Sequence, residues 1–424
     1  MNIKRLRMQS FRGISDLTLD FDSSLNVLIG DNGAGKSSIL DCLGAFLNHI
    51  ADMVTSLYYS SNNIIDLKNP RPKNIFVDDD IAGNTKNLEV NLEFIINSLN
   101  FRCSIQKIRE QLSTVSITPI DSLIDNRLQS FFQSKSAPTL ICYSVKRDIL
   151  FESVQDLQQP KSNTILDTYH RAFTGGRVVF NEFFEWFKLL EELENELIRD
   201  NKDHRDRQLE SVRQAIYTFL PKFKDLRIRR RPELRMTVTK NDAELTINQL
   251  SDGEKNLLAM VGDLARRLAI ANPEMEQPER GRGIVLIDEI ELHLHPKWQR
   301  MVIPALLRTF PNCQFVITTH SPQVLGEVKN GKIYRLASTE SGTTTEIVRT
   351  YGRDSNRILE DEMGVPKRSQ KIKDGLLNLF RLIDDGNLSK AKELQASLKE
   401  EIGFDEPEFA RADVLIHRKE VLGR

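Results

Sequence analysis

The sequence predicts an α/β fold in which a mixed sheet is flanked by helices, and three stretches predict it. Leu25-Asn26-Val27-Leu28-Ile29 is a short apolar run. It passes through Gly30-Asp31-Asn32-Gly33-Ala34-Gly35-Lys36-Ser37 into Ser38-Ile39-Leu40-Asp41-Cys42-Leu43, the pattern of strand, glycine-rich turn and helix. Ile284-Val285-Leu286-Ile287 is a second buried-type strand and ends in Asp288-Glu289; Gln314 to Thr318 is a third, ending in Thr319-His320. Continuous apolar runs that deliver polar tips are the pattern of parallel strands covered on both faces, with the chemistry at their carboxyl ends.

Composition bounds the rest. A chain of 424 residues accommodates two or three domains. Lys+Arg 59 against Asp+Glu 60 leaves a net charge of −1, so any nucleic-acid contact comes from a local patch rather than from a whole-protein field. Cys42, Cys103, Cys142 and Cys313 are scattered without a paired spacing, which suits a reducing compartment and speaks against a zinc ribbon. An apolar leader core and a membrane-length apolar run are both lacking, so the chain is expected to be soluble and cytoplasmic.

In chain order, Asn2 to Met8 and Leu17 to Phe21 alternate as a strand pair with a turn at Gly13, and Phe11-Arg12-Gly13 falls where Arg12 either touches a nucleotide or simply makes the turn. The segment 61–86 is polar and reads as a loop. Leu88 to Phe94 alternates as a strand that pairs with Arg102 to Ile108, and Thr139 to Tyr143 is a buried-type strand running into Ser144-Val145-Lys146-Arg147. Phe180 to Leu197 and Arg207 to Leu220 carry apolar residues at three and four spacing and form a helical hairpin around Arg199 to Asp203. Leu226 to Arg235, followed by Met236-Thr237-Val238, reads as a strand with one charged face, either a phosphate-backbone contact or a solvated face. Leu250-Ser251-Asp252-Gly253-Glu254-Lys255 precedes a periodic helix; Ser251 and Glu254 make a capping box, and the same helix start can approach a phosphate. His293 and His295 share a strand face without a third metal ligand.

The chemistry of the first stretch is that of a phosphate site. Glycines let successive N–H groups curl towards an anion, the helix start adds its positive end, Lys36 reaches the terminal phosphates, and Ser37 is placed to hold Mg²⁺. Asp288 would share that Mg²⁺, Glu289 would orient or deprotonate the attacking water, and His320 would meet the γ-phosphate.

Together these motifs resemble the heads of ABC-type ATPases. Phe-Arg-Gly at 11–13, Glu-Leu-His-Leu-His-Pro at 291–296 and Thr-Thr-His-Ser-Pro at 318–322 resemble the SMC/RecF/OLD-like branch. The likeness covers roughly 1–60 and 225–340 with specific motifs. It implies an ABC ATPase head with a helical signature lobe, an inserted hairpin and a C-terminal helical extension. Its parts are 1–60 with the Walker A loop, 61–225 as insertion, 226–345 with signature, Walker B and switch, and 346–424 as a helical partner-binding region. ATP and Mg²⁺ are the implied cofactors. The implied ATP contacts are Gly30, Asn32, Gly33, Gly35, Lys36, Ser37 and Ser38, with Arg12 beside them, and Ser37 and Asp288 on the metal. Glu289 is the implied catalytic glutamate and His320 the switch histidine. Ser251 and Gly253 would close on the ATP of a second subunit, making a homodimer or an oligomer of dimers. The glutamine of the Q-loop has no clear place; Gln106 is a guess from its position after a strand.

After Tyr351 the sequence predicts helices at Ile372–Ile383, Leu388–Ile402 and Glu408–Leu422, where nuclease-fused members would continue into a Toprim domain with its own acidic motif. No nuclease activity is expected of this chain alone. The tail resembles that of the PtuA-type ATPases of Septu and retron-associated anti-phage systems. That implies a separate HNH (PtuB-like) nuclease as partner, with or without a reverse transcriptase and its DNA. The competing readings are a repair or recombination ATPase that binds DNA through the arginine strand, and a transporter's cytoplasmic subunit.

Overall fold

The computed structural model describes residues 1–61, 75–83, 85–96, 98–118, 135–145, 164–173, 180–339, 342–366 and 368–422. The chain divides into two compact units, residues 1–353 and 354–424. Lys146, Arg147 and most of the polar segment after Ser61 lie outside the described residues.

The first unit is built on a six-stranded sheet ordered β14-β13-β3-β12-β11-β7. Its strands are β3 (Leu25–Gly30), β7 (Thr139–Tyr143), β11 (Gly283–Ile287), β12 (Cys313–Thr318), β13 (Lys332–Thr339) and β14 (Gly342–Val348). All neighbours run parallel except the edge pair β13 and β14, so the sheet is mixed, as the sequence predicts. Leu28, Leu140, Ile284, Leu286 and Val316 point to one face and join the main core. Alternation sends Val27, Ile29, Val285, Ile287, Phe315 and Ile317 to the other, and they are just as buried. The last two strands, β13 and β14, have no counterpart in the sequence reading.

A five-stranded antiparallel sheet faces the main core, ordered β2-β1-β4-β5-β6. It comprises β1 (Asn2–Phe11), β2 (Ile14–Asp20), β4 (Asn87–Ile96), β5 (Leu99–Ile108) and β6 (Thr114–Thr118). The expected pairings of β1 with β2 and of β4 with β5 are both present, and β4 alternates buried and half-buried along its length. Arg12 and Gly13 form a two-residue turn with Arg12 at φ +50°, the left-handed conformation such hairpins require. Gln314, fully buried in β12, joins the two sheets: it accepts from the Ile3 N–H at 2.7 Å and donates to Ile3 O at 2.8 Å and Asp22 O at 2.7 Å. A primary amide reproduces the donor and acceptor of one strand rung, which is how a polar group sits there without loss.

The helical hairpin is present as α2 (Phe180–Asp200) and α3 (Arg207–Phe219), after α1 (Lys36–Ser61). The basic segment differs from its reading. It is not one strand but a hairpin, β8 (Phe223–Arg229) and β9 (Arg235–Lys240), with β10 (Ala243–Thr246) completing a three-stranded antiparallel sheet. Pro232 lacks the N–H a strand interior needs, so the ladder breaks where the arginines end. Next comes α4 (Asp252–Ala271), buried along most of its length; a Cβ on Gly262 would stand 3.0 Å from the Phe183 ring, so glycine is what lets α2 approach. After it come α5 (Pro296–Thr309) and the single turn α6 (Pro322–Leu325).

The second unit holds α7 (Ser355–Asp361), α8 (Gln370–Asp384), α9 (Leu388–Ile402) and α10 (Pro407–Leu422). Leu379, Ile383, Ala391, Leu398, Phe409 and Ala412 give α8 to α10 a core of their own, in the positions the helical periodicity predicts.

Candidate active site

The order of the parallel strands assembles the site. β3, β12 and β11 are neighbours, so the glycine-rich loop, the His320 tip and the Asp288-Glu289 tip emerge side by side at one edge. The loop turns at Gly33 (φ +85°) and Gly35 (φ +99°), conformations that cost other residues, and Asp31, Asn32 and Gly33 stand exposed at its crest. Gly30 is held for another reason: a Cβ there would meet Leu336 O at 2.3 Å on β13. Lys36, 7% exposed, crosses under the loop and donates to Gly30 O and Asp31 O, both at 2.8 Å. Burial lowers its ammonium pKa from the ordinary lysine value, while Asp288, Asp31, Glu289 and Glu291 pull the other way. Ser37 and Ser38 open α1, whose first N–H groups point into the loop.

Ser37 Oγ donates to Asp288 Oδ2 at 3.3 Å, although 251 residues separate them. Two hard oxygen donors so placed fit a Mg²⁺ ion, which prefers a carboxylate and a hydroxyl with water or phosphate in its other positions. The acid pair is held from both sides. The Asp288 N–H donates to Tyr143 O at 2.8 Å, Thr318 Oγ1 donates to Asp288 Oδ1 at 2.5 Å, and the Glu289 N–H donates back to Thr318 Oγ1 at 2.7 Å. Glu289 sits at φ +47°, a strained conformation for a residue with a side chain, which these bonds over-determine.

Sequence reasoning missed three residues here. Thr318 figures in the sequence only as a strand end and as the first residue of Thr-Thr-His-Ser-Pro. Glu291 receives the Thr319 hydroxyl at 2.7 Å and the His320 N–H at 2.5 Å. Tyr143, buried on β7, donates its hydroxyl to Asp263 Oδ2 at 3.0 Å, in the middle of α4. Glu291 and Thr318 open the motifs at 291–296 and 318–322, but nothing in the sequence gives either a partner, and Tyr143 is only the last residue of an apolar strand.

The capping box at α4 is present: Ser251 Oγ accepts the Glu254 N–H at 3.4 Å and Glu254 Oε2 accepts the Ser251 N–H at 3.3 Å. Lys240 on β9 adds an ion pair to Glu254 at 2.7 Å. Gly253 packs against the stretch that follows the acids, where a Cβ would stand 3.2 Å from His293 O. His295 is the N-cap of α5, its Nδ1 accepting the Lys297 N–H at 3.2 Å. Among the described residues no group of three His, Cys, Asp or Glu could hold a metal ion.

Two expectations meet competing partners. Arg12 bonds Asp41 of α1 at 2.6 Å and Asp80 at 2.9 Å, so its guanidinium is engaged with carboxylates next to the loop. Gln106 lies on β5, its amide donating to Glu89 at 3.2 Å on the antiparallel sheet rather than at the strand ends of the site. Three arginines of the basic hairpin are paired in the same way: Arg229 forks onto Glu244 at 2.8 and 2.9 Å, Arg230 bonds Glu192 at 2.9 Å, and Arg227 pairs with Asp225. Hydrogen bonding from Arg229 holds the Glu244 carboxyl at about 2.

The family described as "AAA domain, putative AbiEii toxin, Type IV TA system" matches residues 25–326, from β3 through the turn after β12. The chain is 29% identical over 485 residues to "Retron Ec83 probable ATPase" of Escherichia coli, covering 99% of this chain and 87% of that protein. It is 31% identical over 390 residues to "Retron Vc95 probable ATPase" of Vibrio cholerae serotype O1 biovar El Tor, covering 78% and 73%. To "Septu protein PtuA" of Bacillus thuringiensis it is 22% identical over 402 residues, covering 92% and 91%. With the phosphate loop and the acid pair inside the matched span, this chain is an ATPase and belongs to the family of AAA domains of that description.

Proposed function

We propose that this chain is the regulatory ATPase of an anti-phage defence complex: an ABC-type head that closes on a second copy around ATP and controls a separate HNH-type nuclease. The observation that carries the reading is the joining of Lys36, Ser37, Asp288, Glu289 and His320 at one sheet edge, in a chain whose relatives bear retron and Septu names.

The residues divide the work of hydrolysis. The loop N–H groups and the buried Lys36 take the phosphate charge, and Lys36, already held by two loop carbonyls, needs little reorganisation as charge develops. Ser37 and Asp288 would hold Mg²⁺, which when bound neutralises phosphate oxygens. Glu289, fixed by Thr318, would orient the attacking water and accept its proton; His320 would reach the γ-phosphate from the neighbouring strand end. Arg12 remains part of the proposal as a residue that exchanges a carboxylate for phosphate. Ser251 and Gly253 are proposed to complete the site of the second copy, and the unit 354–424 to carry the partner. A reverse transcriptase with its DNA is the further partner that the retron names suggest.

The test is a pull-down of the Glu289→Gln chain with ATP and Mg²⁺ from its host, with mass spectrometry of what co-purifies. A stoichiometric HNH nuclease supports the proposal. Recovery of DNA alone, or of nothing beyond the homodimer, overturns it in favour of a repair ATPase.

A further inference from the structure

Resting on the reading of His320 as the group that meets the γ-phosphate, we propose that Glu291 is a positioning residue that sets where His320 stands. β12 ends at Thr318, and its ladder with β3 reaches one residue further, the Thr319 N–H donating to Leu28 O at 3.3 Å. Beyond that bond the tip is held by one carboxylate from across the sheet edge. Glu291 Oε1 accepts the His320 N–H at 2.5 Å, and Oε2 accepts the Thr319 hydroxyl at 2.7 Å. Bonds to an ionised acceptor are about twice as strong as neutral ones, and a bidentate arrangement fixes direction as well as distance.

The hydroxyl has little freedom to turn away. Thr319, wholly buried, accepts the Ser321 N–H at 3.0 Å, so its own proton is left to point at Glu291. A second brace runs in parallel. Ser321 Oγ donates to Gln299 Oε1 at 2.7 Å, and Gln299 Nε2 donates to Leu294 O at 2.8 Å. The stretch from 291 to 299 and the tip 319–321 are thus stitched together at several points. Glu289 lies two residues before Glu291 and is itself bonded to Thr318, so one clamp couples the water-orienting acid to the histidine tip. Glu291 bonds the tip residues Thr319 and His320, so it acts through His320.

The test compares full-length Glu291→Ala, Glu291→Gln, His320→Ala and the Glu291→Ala/His320→Ala pair by steady-state ATP hydrolysis and calorimetric ATP binding. Glu291→Ala is expected to lower kcat roughly tenfold or more with ATP affinity within about threefold, since it displaces a group whose contact with the γ-phosphate strengthens as charge develops in the transition state. Glu291→Gln keeps an acceptor for the His320 N–H and is expected to recover most of the rate even if the alanine variant folds poorly. The paired variant is expected to match His320→Ala within about twofold, because residues acting as a unit are not additive. Independent, multiplying losses overturn the proposal, as does a Glu291→Ala rate equal to the parent. If His320→Ala alone keeps the full rate, the role of His320 fails, and a slow Glu291→Ala then shows that Glu291 acts elsewhere.

Discussion

At the residue scale the chemistry rests on side chains whose neighbours leave them little choice of position. Lys36 is buried and bonded to its own loop, so Lys36→Ala removes both the phosphate partner and the brace under Gly30 and Asp31. ATP affinity is expected to fall about a hundredfold, close to 3 kcal/mol by calorimetric titration, in line with a lost bond to a charged group. Glu289→Gln keeps the fold of the site, since the Glu289 N–H and not its carboxylate is what Thr318 holds. Its ATP affinity should stay within a few-fold while kcat drops by about 10² or more, the usual worth of a general base. A phosphate-release rate near that of the parent would sink the assignment. Lys36, Ser37, Asp288 and Glu289 were legible because their chemistry demands those types at those spacings. The bonding roles of Thr318, Glu291 and Tyr143 were not, because a threonine, a glutamate or a tyrosine does not show its partner until that partner, far away in sequence, is beside it.

At the element scale α4 is the helix whose start presents Ser251 and Gly253, the proposed signature residues. Glu254 closes the capping box and pairs with Lys240, so Glu254→Ala should cost about 1 kcal/mol by urea unfolding, the ordinary worth of a helix cap. In its middle, Asp263 is buried. Burial alone would raise its carboxyl, yet Arg267 at 2.8 Å and Arg266 at 2.7 Å hold it at about 2. A depressed folded-state pKa gives stability that is present above the unfolded value of 3.8 and is lost as pH falls towards 2. The parent should therefore lose stability over that window by about 2 kcal/mol more than Asp263→Asn, compared by denaturant midpoints at each pH. Equal slopes for both chains would show that the arginine pair does not stabilise the ionised form. The arginine hairpin shows why charge patterns mislead at this scale. Its alternation reads as a basic face, while the acids that pair with Arg229 and Arg230 come from β10 and α2, elements the sequence does not place beside it.

At the scale of the whole molecule, the two units have separate cores. A chain ending at residue 353 is expected to fold cooperatively, bind ATP with unchanged affinity and lose the co-purifying partner. Loss of nucleotide binding in that truncation would place part of the ATPase fold after residue 353. No described helix is long and apolar enough to cross a membrane.

By itself the sequence determined the strand, turn and helix around Lys36, the acid-tipped strand, the capped helix at Ser251 and the C-terminal helices. Each is fixed by local rules: glycine conformation, apolar period and capping chemistry within a few residues. Only the tertiary structure decided that β3, β12 and β11 are neighbours, that Ser37 meets Asp288 across 251 residues, and that Glu291 reaches the tip of β12. Strand order and long-range polar partners come from how buried faces pack against one another, and no local pattern in the chain records that.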